Sequence, residues 1–222
     1  MDYSRRRFVG ATVATAAGLT LASCVSSTRK LIAPAPVSTV PPVAVGSPAP
    51  VSSGYQLLDE ARAALDAHAG RFVHRDRIAL ADFSRPSSEP RFHVVDLESG
   101  RIERSYLVAH GSGSDPDRTG MLQRFSNAPG SNASSRGAYL TAGTYVGKHG
   151  RSRKLIGLDT DNSMALDRAI VVHGAAYVDP ALIASQGRIG RSQGCFAFEQ
   201  GKVAEVMELL GEGRMIYAAK IA

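Results

Sequence analysis

The chain has 222 residues, 44% hydrophobic and 21% charged, a globular composition with room for one sizeable core but not for two full ones. Its formal charge is +6, and Arg5, Arg6 and Arg7 against Asp2 carry two of those positive charges at the very start. With no Lys/Arg-rich helix and no basic residues interleaved with aromatics, nucleic-acid binding is excluded, and the mildly basic remainder suits an anionic polymer or an acidic membrane surface.

Residues 1–23 read as an export signal. Ser4-Arg-Arg-Arg-Phe-Val9 precedes an Ala/Gly/Thr-rich apolar run from Gly10 to Ala22 that ends in Leu21-Ala-Ser-Cys24. The paired arginines before Phe8 resemble the twin-arginine signature. Leu21-Ala22-Ser23-Cys24 resembles a bacterial lipobox, which implies a lipidated Cys24 and a membrane anchor; the alternative is an uncleaved span, although the run is shorter than the ~20 residues a spanning helix needs. If Cys24 carries lipid, Cys195 is the only free thiol in an exported chain, since there are two cysteines in all. The expected location is the cell envelope, on the periplasmic side, and Val25 after Cys24 resembles outer-membrane sorting in a Gram-negative cell. Residues 24–54 are rich in Pro, Ala, Val and Ser. Proline fixes φ and removes a donor, so this segment is expected to be an extended tether, or simple disorder, ahead of a catalytic domain at 55–222.

Tyr55 to Ala69 places apolar residues at 57, 58, 61, 64 and 65, the spacing of an amphipathic helix stopped by Gly70. The period then changes, and 78–83, 91–97 and 102–109 read as strands, the last two joined by the turn Glu98-Ser-Gly100 as a hairpin. Residues 111–136 carry little hydrophobic pattern, and a segment of that length inside a compact domain borders a functional groove. Strands resume at 137–146, 154–158 and 168–173, followed by a helix at 202–210 and a last strand at 215–221. There is no internal repeat and no βαβ alternation. The expected fold is mainly β with peripheral helices, a sandwich or open barrel.

The chemistry centres on Gly187-Arg-Ile-Gly-Arg-Ser-Gln-Gly-Cys-Phe-Ala-Phe198. Small residues let the backbone approach a substrate, and neighbouring cations favour thiolate, so Cys195 is a candidate nucleophile. Ala169-Ile-Val-Val-His173-Gly174 is an apolar strand running into a histidine, where the sheet would hold a general base at the edge of a groove, with Gly174 beside it. His173 would take the Cys195 proton. His110, which also ends a strand and precedes a glycine, is the rival base and otherwise a groove-wall residue near substrate. His149 reads as a turn residue, and Asp115 and Asp117 as turn formers. Arg188 and Arg191 could clamp a substrate carboxylate or be solvated loop charges. No H-E-x-x-H, paired-cysteine or His-x-His spacing points to a metal, no motif calls for a cofactor, and no serine has the G-x-S-x-G context.

His173-Gly174 followed by Ser192-Gln193-Gly194-Cys195 resembles the HG…S-x-G-C signature of the L,D-transpeptidase (YkuD-type) catalytic domain. Val108-Ala-His-Gly111 with Gly113-Ser114, Phe125-Ser-Asn127, Gly130-Ser131, Ser134-Ser135 and Gly157-Leu158 resemble its subgroup, the murein L,D-transpeptidase catalytic domain family. Many members have His or Arg at the place of Gln193 and a polar residue at that of Ala197. The resemblance implies acyl transfer on peptidoglycan stem peptides. Cys195 attacks the third residue of a tetrapeptide stem, D-Ala leaves, and a second stem's amine resolves the thioester. Backbone N–H groups of Gly194 and Cys195 are the candidate oxyanion donors, and Ser192 could position His173 or the leaving group. A hydrolase using the same thiol and base, and a non-catalytic wall-binding lipoprotein, are the competing readings.

Overall fold

The computed structural model describes residues 52–221. The expectations for residues 1–51, including the export signal, Cys24 and most of the tether, lie outside the described residues. Eleven named helices and strands follow one another along the chain: α1 (Ser52–Ala67), β1 (Arg77–Asp82), β2 (Phe92–Asp96), β3 (Ile102–Tyr106), β4 (Gly137–Gly147), β5 (Gly150–Gly157), β6 (Val171–Gly174), α2 (Pro180–Gln186), β7 (Phe196–Phe198), α3 (Val203–Leu210) and β8 (Met215–Ala219). The expected β-rich chain with peripheral helices is what forms.

All eight strands hydrogen-bond into one mixed sheet in the order β3-β2-β1-β8-β4-β5-β6-β7. The pairs β1–β8 and β6–β7 are parallel and the others antiparallel. Alternation along β1 explains how one sheet serves two cores. Ile78 and Leu80 face Leu57, Leu58, Ala61 and Leu65 of α1. Ala79 and Ala81 face the other way, into a cluster with Phe92, Tyr139, Phe196, Phe198 and the α3 residues Val206, Met207 and Leu210. Beyond β3 the chain continues to Ala109, which bridges antiparallel to Ala197 of β7. The two edges of the sheet thus meet, giving the curvature of an open barrel.

Three features differ from the sequence expectations. Helix α1 begins at Ser52, three residues before Tyr55, so the Pro-rich composition ends earlier than its last serines. Parallel β6 and β7 are joined through α2, a βαβ unit hidden because β7 has only three residues. Residues 147–153 lie between the strands expected at 137–146 and 154–158, with His149 expected in a turn. They instead close a long β4–β5 hairpin with Gly147 opposite Gly150 and a bulge between Thr141 and Thr144.

The polar segment 107–136 is ordered by its own small side chains. The Gly111 N–H donates to Ser134 Oγ at 3.0 Å, the Ser134 N–H to Ser114 Oγ at 3.0 Å and the Gly113 N–H to the Asn132 carbonyl at 2.9 Å. A Cβ on Gly113 would lie 1.9 Å from the Ser131 carbonyl oxygen, so only glycine lets the two halves of the segment touch.

Candidate active site

Cys195 immediately precedes β7, whose register sets Phe196 opposite Val172 and Ala197 opposite His173 of β6. Phe196 and Val172 point into the α3-side core, whereas Ala197 belongs to a separate small cluster with Leu107, Ala109, Ala175, Val178 and Ile189. Carried one residue back from β7, the two-residue period puts Cys195 on the face that carries His173, diagonal to it across the β6–β7 pair. Cys195 is partly exposed and is the free cysteine among the described residues.

The imidazole of His173 is 1% exposed, and its Nδ1 lies 2.9 Å from the Gly174 carbonyl oxygen. A carbonyl can only accept, so Nδ1 carries the proton and Nε2 is left as the acceptor that a general base requires. Burial lowers the His173 pKa, opposed by the Gly174 hydrogen bond and reinforced by the charges of His149 and Lys148. Gly174 itself is buried, with Gln200 and Val203 where a Cβ would go. Its contribution is its carbonyl, and it does not line a groove for substrate as the sequence reading expected.

The thiol donates to the Ala169 carbonyl at 3.5 Å. Ala169 has φ 53°, a left-handed conformation uncommon outside glycine, and it turns that carbonyl toward the cysteine. Burial raises the Cys195 pKa; the Val171 N–H and the cations Lys148 and Arg168 oppose it. The resting form is a thiol, and removing its proton requires a base.

Those two cations are not the ones the sequence pointed to. The Arg188 guanidinium donates to the Gln186 carbonyl at 3.0 Å and its stem packs on Gly120. Arg191 donates to the Asp115 carbonyl. Of the two readings, clamp or loop charge, these bonds match the second, and neither arginine is among the cations that act on the thiol. Arg168 holds the polar segment against the site. It donates to the Ser126 carbonyl at 2.8 Å, to Ser135 Oγ at 2.7 Å, to Ser131 Oγ at 3.3 Å and to the Ala133 carbonyl.

The turn 192–195 is fixed from within. Ser192 Oγ donates to the Cys195 carbonyl at 2.7 Å and accepts from the Gly194 N–H at 3.1 Å. The expectation for Ser192 is that it positions His173 or the leaving group; its hydroxyl instead holds its own turn. The Gly194 N–H is engaged by that hydroxyl, which leaves the Cys195 N–H as the oxyanion candidate from this turn. Gly194 has φ 111°, and a Cβ there would lie 2.7 Å from the Ala133 carbonyl oxygen.

His110, the rival base, is 0% exposed. Arg91 donates to its Nδ1 at 2.7 Å, and its Nε2 stands 3.4 Å from Asp115 Oδ2. Burial, with the Arg91 charge, pushes its pKa down to about 4 against the opposing effect of Asp115. A sealed, neutral imidazole in a buried Arg91–His110–Asp115 chain can reach neither thiol nor substrate, so His110 is neither the base nor a groove-wall contact. Asp115 does what a turn former does: it accepts from the Thr119 N–H at 2.8 Å and from the Gly120 N–H at 2.9 Å.

Besides Arg168, three residues at the site escape sequence reading. Tyr177, between β6 and α2, has its pKa pushed up to about 12 by burial and by the charge of Cys195, so near neutral pH it keeps its proton. Lys148 and His149 form the tip of the β4–β5 hairpin, and the His149 ring stacks on His173 with centroids 4.2 Å apart. Only folding brings these residues to β6 and β7. A cysteine among dispersed titratable groups is also unlike a metal centre, and among the described residues no three His, Cys, Asp or Glu side chains converge.

Among curated proteins none matches this chain. Solved structures that match this chain include an L,D-transpeptidase from Mycobacterium smegmatis, 15% identical over 65% of this chain and 58% of that one, TM-score 0.40. They also include an L,D-transpeptidase from Xylanimonas cellulosilytica, 16% identical over 71% and 68%, TM-score 0.37, and the helical cell shape determining protein Pgp2 from Campylobacter jejuni, 12% identical over 68% and 49%, TM-score 0.41. The match to this chain thus spans under two thirds of the length of the M. smegmatis protein. Residues 52–219, by contrast, match the family described as L,D-transpeptidase catalytic domain along nearly the whole of the described fold, and the chain belongs to that family.

Proposed function

We propose that this protein is a peptidoglycan L,D-transpeptidase that works through a Cys195 thioester, with His173 as general base and acid. The observation that carries the reading is the pairing of β6 with β7. It sets His173 and Cys195 diagonally on one face, while the Gly174 carbonyl holds the imidazole proton on Nδ1.

The chemistry follows from that tautomer. His173 Nε2 takes the Cys195 proton, and the thiolate attacks the carbonyl carbon of the third residue of a tetrapeptide stem. The Cys195 N–H faces the oxyanion that develops, a donor of a kind worth about 2.7–4 kcal/mol of barrier. Collapse breaks the amide, the imidazolium protonates the departing D-Ala amine, and a thioester remains on Cys195. The side-chain amine of a second stem then attacks the thioester, passes its proton to His173, and expels the thiolate. Arg168 and Lys148 supply positive potential that favours the thiolate, and Tyr177 stays protonated. Cofactors have no part in this sequence of steps. Export through residues 1–23 and a lipid on Cys24 would place the domain in the cell envelope on the periplasmic side, reached from the membrane by the Pro-rich tether.

The test is mass spectrometry of the full chain after incubation with a tetrapeptide stem or a carbapenem. A covalent adduct on the peptide containing Cys195, lost in Cys195→Ala, is expected; no adduct with either reagent would overturn the covalent reading. Adding a second stem separates cross-linking from release of D-Ala into water, and release without any dimer would move the assignment to a hydrolase.

A further inference from the structure

The β4–β5 hairpin runs out of the sheet until residues 144–150 are exposed. Lys148 and His149 form its two-residue tip between Gly147 and Gly150, the second of which takes φ 74°. A tip of this kind has no need to touch anything. Yet the exposed ring of His149 lies against the buried ring of His173, with centroids 4.2 Å and planes 25° apart.

We propose that His149 is a positioning residue for His173, packing its ring face on the imidazole so that Nε2 is held toward Cys195. The inference rests on the reading of His173 as the base. A single hydrogen bond, from Nδ1 to the Gly174 carbonyl, anchors one atom of the His173 ring and leaves its plane to be set by packing. The cross-strand partner of His173 is Ala197 and its chain neighbour is Gly174, neither of which offers a flat surface. His149 supplies that surface from a different element. A neutral aromatic face also favours the imidazolium that forms when His173 accepts the thiol proton.

The same contact makes the base sensitive to the charge of its partner. A protonated His149 places a like charge over the imidazolium and opposes it, as Lys148 does from the adjacent tip position. From other elements, the charged and titratable groups at the thiol and imidazole are Arg168, Tyr177 and Cys195 itself. Neither ring pairs with a carboxylate among the described residues, whereas His68 and His110 do. Nothing there offsets a charge on His149.

The experiment is alkylation of Cys195 in the full chain by iodoacetamide, followed by peptide mass across the range of about pH 5 to 9. It is run on wild type, His149→Ala, His149→Phe and His173→Ala. Iodoacetamide reads the thiol–imidazole pair and needs no peptidoglycan. His149→Ala is expected to lower the neutral-pH alkylation rate about tenfold, as a loosened base would. His149→Phe, which keeps a flat face, should stay within about twofold of wild type. A His149→Ala rate and pH profile equal to wild type would overturn the proposal, and so would a His149→Phe rate as low as that of His149→Ala. If His173→Ala alkylates as fast as wild type, it is the assignment of the base that fails.

Discussion

Two dipeptides of this chain, His110-Gly111 and His173-Gly174, look alike in sequence and end in opposite places. Each follows a short apolar run, and at each glycine a Cβ would collide with a neighbour. His110 turns inward, where Arg91 donates to one ring nitrogen and Asp115 stands by the other. His173 is just as buried, but only one of its nitrogens is committed, to a carbonyl, and its ring lies on the face that carries Cys195. Burial alone therefore does not separate a structural histidine from a candidate base. What separates them is the nitrogen able to accept a proton: in His110 it is Nδ1, already taken by the Arg91 donor, whereas in His173 it is Nε2, which the Gly174 carbonyl leaves open.

The sharpest way to break this comparison is to remove each imidazole in turn. His173→Ala should cut adduct formation at Cys195 by about 10²–10⁴, the usual worth of a positioned base, far beyond what any loss of folded protein explains. His110→Ala should do the reverse. It strips the acceptor from the buried Arg91 donor and leaves a cavity beside Phe83, which costs about 2–4 kcal/mol and about 5–15 °C in melting temperature. The folded fraction should still form the adduct. If the two variants exchange these behaviours, the assignment of roles is reversed.

Acid titration of stability is the next largest effect. The His110 pKa is about 4 in the folded protein against 6.5 for the free side chain. Between those values the unfolded chain binds more protons than the folded one. Stability is then present in full above pH 6.5 and is lost as pH falls toward 4, by at most about 3 kcal/mol. Comparing wild type with His110→Gln in urea melts across that window checks it. The slope should flatten in the variant, and an equal slope in both would assign the proton to another group.

What the sequence made legible was local. The strand before His173, the glycine-rich turn before Cys195 and the α1 face at 57, 58, 61 and 65 each carry their pattern within a dozen residues. Arg168, Lys148, His149 and Tyr177 were not legible as site residues, because each lies on a loop whose neighbours give no period. They reach the thiol only when β5, β6 and β7 pair. The two arginines next to Cys195 misled for the same reason: proximity in sequence within a turn says little about direction, and the turn sends both toward the 115–120 loop. The buried fate of His110 could have been suspected from Arg91, a cation directly ahead of the apolar strand β2 that asks for an unusual partner. The separation of nineteen residues hid the pair.

A smaller effect probes the turn that carries the thiol. Gly194→Ala would put a methyl group 2.7 Å from the Ala133 carbonyl at a φ of 111°. A cost of about 1–3 kcal/mol in stability is expected, together with slower alkylation of Cys195, since the turn can relieve the clash only by moving its own end. Ser192→Ala offers a control on the same turn, because it frees the Gly194 N–H without adding bulk. If Gly194→Ala melts and reacts like wild type, the turn is looser than its contacts imply.

The smallest effect expected is at the arginines. Arg188 bonds only the carbonyl of Gln186 two residues away, so Arg188→Ala should change stability by less than about 0.5 kcal/mol. Arg191 ties its loop to the Asp115 carbonyl, and its loss should cost about 1 kcal/mol. Neither substitution should alter the rate at which a tetrapeptide stem acylates Cys195, because the positive potential at the thiol comes from Lys148 and Arg168. A large fall in that rate in Arg188→Ala or Arg191→Ala, with the melting temperature unchanged, would show that the loop swings its cation onto the substrate. The basic residues beside the cysteine in sequence would then belong to the site after all.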